Sequence, residues 1–91
     1  MTKCFEVQED GSLTEVLTNQ DNSNSSSIYF FIDHNRKIIY LWKGKKAGFR
    51  KAFAAAKAAT NLPSELGPGF EVQSIDEGDE PYEFKAVFRQ G

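Results

Sequence analysis

Few side chains in this 91-residue sequence could carry chemistry. His34 is the one histidine and Cys4 the one cysteine. His34 stands in Asp33-His34-Asn35-Arg36-Lys37, a run with the composition of a surface turn. No further histidine or cysteine exists to complete a zinc site. Cys4, beside Phe5, reads as a small apolar residue at a strand start. It has no internal disulfide partner, so an oxidising compartment offers this fold nothing. Gly44-Lys45-Lys46 lacks the upstream glycine and the hydroxyl of a phosphate loop, and nucleotide binding has no support. The carboxylates of Asp76-Glu77-Gly78-Asp79-Glu80-Pro81 read as an acidic turn ahead of a helix, where acids suit the helix dipole, and not as acid–base machinery. No enzyme is expected, and no metal or cofactor is implied.

What remains is charge. The net charge is only −2, but eight basic and no acidic residues lie between Arg36 and Lys57. The first 21 residues carry five acids, and residues 65–83 carry seven. A basic middle between acidic ends points to one electropositive face. A solvated helix face is the plainer explanation, and no nucleic-acid partner is expected. No apolar run approaches the length of a membrane span, and no signal-peptide pattern opens the chain. A cytoplasmic location is therefore expected.

The elements that position these residues centre on one stretch. Ile28-Tyr29-Phe30-Phe31-Ile32 and Ile38-Ile39-Tyr40-Leu41-Trp42 are continuous apolar, β-branched and aromatic runs, suited to strands buried on both faces. The five polar residues between them predict an antiparallel hairpin at the centre of a sheet. Before it, Lys3–Gln8 predicts a strand with Phe5 and Val7 on one face. Asp10-Gly11 is a turn, and Leu13, Val16 and Leu17 a second short strand. Residues 19–27, rich in Asn and Ser, read as a loop. After the hairpin, the alanine-rich segment predicts the one long helix, from Ala47 or Gly48 to about Asn61, with Pro63 as its stop. Residues 70–75 predict another strand, and residues 82–89 a short helix with Phe84, Val87 and Phe88 toward the core. The length is that of one domain, residues 1–91.

At about 100° per residue, Phe49, Ala52, Phe53, Ala56, Ala59 and Thr60 share one helix face, expected to lie on the sheet. Arg50, Ala54, Lys57, Ala58 and Asn61 share the other, with Lys51 at its edge. That outer face is paved with alanine between basic side chains, so a partner could approach the backbone closely. Helix propensity is the competing explanation, since alanine is the best helix former.

Taken as whole motifs, the chain resembles a gelsolin/villin-type actin-binding domain. FFIDHNRKIIYLWKGKKAG resembles that family's central hairpin, ending in Trp-x-Gly-Lys ahead of the long helix. FEVQSIDEGDEPYEF resembles its late strand, acidic Glu-Gly-x-Glu-Pro turn and final helix, and FEVQEDGSLTEV its opening strands. The match covers nearly the whole chain, with residues 19–27 the least characteristic. The resemblance implies an α+β gelsolin-like domain, with a central five- or six-stranded mixed sheet between one long and one short helix. It also implies that the outer face of the long helix wedges into the apolar cleft between two actin subdomains, a recurrent recognition mode. The contacts carried over are Arg50, Ala54, Lys57, Ala58 and Asn61, with Phe49 and Leu62 at the ends.

Many members of that family bind calcium through an Asp at the start of the central strand, nearby carbonyls and a Glu early in the long helix. Ser26-Ser27 and Lys51 stand at those places here, so the resemblance implies a degraded site at Ser27 and Lys51 and a calcium-independent domain. A lone domain of this kind is similar to the one-domain gelsolins of Asgard archaea. It is expected to be monomeric by itself, cytoskeleton-associated, and to bind actin monomers one-to-one. It would sequester them, or cap and depolymerise filaments, without severing or bundling. Three readings compete: a cofilin-type actin binder; an acidic phospholipid (phosphoinositide) binder using Lys43, Lys45, Lys46, Arg50 and Lys51; and a domain that keeps the fold without the actin binding.

Overall fold

The computed structural model describes residues 2–16 and 25–84. The elements are β1 (Thr2–Val7), β2 (Leu13–Val16), β3 (Ile28–Asp33), β4 (Ile38–Lys43), α1 (Phe49–Leu66) and β5 (Glu71–Asp76). They build one five-stranded mixed sheet in the order β2-β1-β3-β4-β5. β1 through β4 pair antiparallel, and β5 joins β4 in parallel after the α1 crossover. The central hairpin sets Tyr29 opposite Trp42 and Phe30 opposite Leu41. Its turn is closed by Asp33, whose Oδ1 accepts the amides of Asn35 (3.0 Å) and Arg36 (3.2 Å). Leu17, Val87 and Phe88, and most of the Asn/Ser-rich loop, lie outside the described residues.

The unbroken apolar character of β3 and β4 follows from covered faces on both sides. Ile28, Phe30 and Ile32 of β3, with Ile39 and Leu41 of β4 and Val7 of β1, face α1. Tyr29 and Phe31, with Tyr40, Trp42 and Cys4, point to the opposite layer. There Phe84, from the helical residues 82–84, stands edge-on to Phe31 (5.1 Å between centroids) and Tyr40 (5.3 Å). Cys4 is buried, and burial together with the neighbouring Glu6 carboxylate pushes its thiol up to about 12. It is a packing residue, inert at neutral pH.

α1 departs from the sequence expectation in length and in rotation. It runs past Asn61 and Pro63 to Leu66, and ends where Gly67 takes φ 123° and donates its N–H to the Pro63 carbonyl at 3.1 Å. Pro63 removes one hydrogen bond near the end of the helix, while Leu62 and Leu66, packed on the sheet, hold the extra turn in place. The rotation is the larger correction. Ala54, Ala55 and Leu62 are buried, with Ala58, Ala59 and Leu66 packed beside them. Phe49 and Phe53, expected in the core, are 81% and 66% exposed. Large sheet residues such as Phe30 and Leu41 fill the interlayer space, so the helix side against them is mostly alanine. The phenylalanines are left outside.

This rotation has a direct test. Leu62→Ala is expected to cost about 2–4 kcal/mol by leaving a cavity, whereas Phe53→Ala should stay within about 0.5 kcal/mol of the parent. Urea unfolding of both variants checks it, and equal losses would mean the opposite helix face packs inward.

Candidate functional site: the outer face of the long helix

With its alanine side seated on the sheet, α1 presents Phe49, Arg50, Phe53, Ala56, Lys57, Thr60 and Asn61 to solvent. The Lys57 ammonium lies over the Phe53 ring, 5.7 Å from its centroid, a cation–π arrangement that gives the face an apolar plate with a positive edge. Two exposed phenylalanines one turn apart gain the domain little, and their cost is explained if something covers them.

Of the seven expected contacts, Phe49, Arg50, Lys57 and Asn61 are exposed, while Ala54 and Leu62 are buried and Ala58 is half-buried against the core. Ala54 and Leu62 therefore keep little accessible surface, 7% and 8%. Phe53, Ala56 and Thr60 belong to the outer face and were assigned to the sheet by periodicity. One signal could have found them. Phe53 and Leu62 are nine residues apart, on opposite sides of a helix, so one of them had to face out.

The two motifs flanking the helix are locked together. Trp42 Nε1 donates to Glu80 Oε2 at 2.9 Å, and the Lys45 amide to Glu77 Oε1 at 2.8 Å. Ser25 Oγ donates to Glu77 Oε2 at 2.8 Å, and Lys43 Nζ lies 3.6 Å from Asp76 Oδ1. Trp-x-Gly-Lys and the acidic turn thus form one clamp that fixes the loop feeding α1. The same clamp interleaves acids with the basic residues of the expected lipid patch. Lys43 is ion-paired, and Lys45 shares a groove with Asp76, Glu77 and Asp79. Lys51 is turned to a carbonyl, while Lys45, Lys46 and Arg50 are exposed.

The amide of Lys45 and the hydroxyl of Ser25, in that order, hold the Glu77 carboxyl below its ordinary range. A carboxyl whose folded pKa is depressed stabilises the fold above its unfolded value, about 4.3, and that contribution is lost as pH falls through the folded pKa. Glu77→Gln is therefore expected to unfold less steeply with acid below about pH 4.5 than the parent. A series of thermal melts between about pH 3 and 6 would show it, and parallel curves would dismiss the clamp as a pH-sensitive element.

The residues at the expected calcium position do not fit that ion. Lys51 Nζ donates to the Ser26 carbonyl at 3.0 Å, putting an ammonium where a cation would sit. Ser27 is buried and spends its hydroxyl on Glu6 Oε2 at 2.9 Å. Among the described residues, no three His, Cys, Asp or Glu side chains are grouped to hold a metal ion, whereas calcium takes six to eight oxygens, several of them carboxylate.

The chain belongs to the gelsolin repeat family, whose sequence pattern matches residues 12–85. It is similar to the Thorarchaeota ProGel, solved as a crystalline complex with rabbit actin. Identity is 33% and the TM-score 0.90, over 97% of this chain and 99% of that one. It is also similar to the Thorarchaeota 2DGel3, again solved with rabbit actin, at 28% identity and a TM-score of 0.81. That match covers 96% of this chain and 45% of 2DGel3, so the chain spans less than half of that longer protein. None of the curated proteins matches. Among the described residues, no helix is long and apolar enough to cross a membrane.

Proposed function

We propose that this domain binds actin monomers one-to-one through the outer face of α1, as a monomer itself, and sequesters them without calcium control. The observation that carries the reading is the exposed Phe49–Phe53–Lys57 row. It lies on a domain superposable, at a TM-score of 0.90, on a protein crystallised with actin. Laid into an apolar cleft, the two rings and Ala56 supply the buried centre, while Arg50 and Lys57 reach an acidic rim. Calcium independence is supported by the Lys51 ammonium, which hydrogen-bonds the Ser26 carbonyl without a diffusible ion. Capping of filament ends is the accompanying activity if the same face meets the last subunit of a filament.

Sedimentation velocity with monomeric actin, in calcium and in chelator, tests both halves. A one-to-one complex in both conditions is the expected result. A complex in calcium alone would overturn the role given to Lys51, and free components in both would overturn actin as the partner.

A further inference from the structure

The first turn of α1 carries much of the outer face and has little packing to hold it. Phe49, Arg50, Ala52 and Phe53 are exposed, Lys51 is half-buried, and the buried side chains of the helix begin only at Ala54. Gly48 at the N-cap offers no side-chain bond, and no acid stands in the first turn to meet the helix dipole. Arg50 and Lys51 set positive charge against that dipole instead. A helix start of this kind frays unless a group outside the turn ties it down. One side chain provides the tie. Lys51 Nζ donates to the Ser26 carbonyl at 3.0 Å, across 25 positions of sequence.

That bond completes a row. Ahead of β3, the Ser25 carbonyl accepts the Lys46 amide at 2.9 Å, and the Ser27 carbonyl the Gly44 amide at 3.0 Å. The Ser26 carbonyl between them takes the Lys51 ammonium. The two backbone bonds hold the loop that precedes α1, whereas the Lys51 bond reaches the helix itself. We propose that Lys51 is a positioning residue for the actin-binding face: its tie to Ser26 sets the direction of the first turn and keeps Phe49 and Phe53 in line with Lys57. On the actin-binding reading above, on which this rests, Lys51 acts through the turn and does not touch the partner. Without the tie the turn samples other directions, and affinity falls with the fraction of time spent in the competent one. That loss should appear even where calcium is absent, which a side chain that merely excluded the ion would not produce.

Lys51→Met, which keeps an unbranched apolar stem without the ammonium, tests this beside Lys51→Arg, both in chelator. Labelled monomeric actin is expected to bind Lys51→Met about tenfold more weakly than the parent, the result of a turn correctly aimed about a tenth of the time. Lys51→Arg, which can still donate to the Ser26 carbonyl, should stay within about twofold. Hydrogen exchange without actin gives a second measure. The Ala52 amide, bonded to the Gly48 carbonyl at 3.1 Å, should exchange about tenfold faster in Lys51→Met, with amides beyond Ala55 at parental rates. Parent-like affinity in Lys51→Met, with binding lost in Phe53→Asp, overturns this inference and leaves the helix face standing. Equal weakening in both Lys51 variants, with parental exchange, would place Lys51 in direct contact with actin and overturn it as well. A parent that binds no actin overturns both readings.

Discussion

Phe53→Asp is expected to weaken binding to monomeric actin by about a hundredfold while leaving the domain folded. Anchors at the centre of an interface typically cost 2 kcal/mol or more on truncation, and a buried carboxylate adds its desolvation to that loss. The ring is 66% exposed in the free domain, so its removal opens no cavity in the core. Ala56→Glu should do the same by another route, since a long acidic chain there holds the helix backbone off its partner. Lys57→Glu is expected to cost less, about tenfold, and to lose its effect at high salt, as rim charges do. A labelled-actin titration beside a circular-dichroism melt separates these cases. Parent-like affinity in Phe53→Asp would remove the outer face of α1 from the reading.

Gly44→Ala is the substitution expected to harm the fold most for its size. Gly44 is not in a glycine-only conformation, since its φ is not positive. It is needed because the chain crosses itself there. The Gly44 amide donates to the Ser27 carbonyl at 3.0 Å, and the Lys46 amide to the Ser25 carbonyl at 2.9 Å. A Cβ on Gly44 would fall on the Ser25 carbonyl, with the Ser27 carbonyl oxygen 2.8 Å away. Backbone cannot yield as a side-chain tip can, so the clamp must open. About 3 kcal/mol or more should be lost, from a domain of this length whose total stability is about 5–13 kcal/mol. Gly48→Ala is the control: it too lies between β4 and α1, but a Cβ there meets nothing within 4 Å. Urea midpoints that coincide for the two variants would show that the crossing tolerates a side chain.

The sheet was largely legible in the sequence because its signals are local. Continuous apolar runs with a five-residue polar gap allow little besides the β3–β4 hairpin, and Phe5 with Val7 sets the face of β1. The helix face was not legible, for a physical reason. Hydrophobic periodicity weights large side chains, and here the large ones face outward while alanine, which reads the same on every side, faces the sheet. Only Leu62 and Leu66 betray the true direction, and both lie beyond the stop expected at Asn61. Arg50, Lys57 and Asn61 survive as outer-face residues because they flank the inverted pattern and do not depend on it. The bond from Trp42 to Glu80 and the groove shared by the β1–β2 turn and α1 bring together residues 38 and more than 40 positions apart. No local pattern encodes either.

The alanine seat of α1 also sets how the domain answers load. Long side chains under a helix can change rotamer and let it roll or slide, but a methyl group has no rotamer to change. With Ala54 and Ala55 pressed on the sheet and Leu62 pinning the far end, α1 behaves as a stiff strut. Force applied to the helix passes through the close-packed side chains of Phe30 and Leu41 into β3 and β4, the strands at the centre of the sheet. On the actin-binding reading proposed above, such a domain is expected to dock as a rigid wedge, with movement on binding coming from the partner.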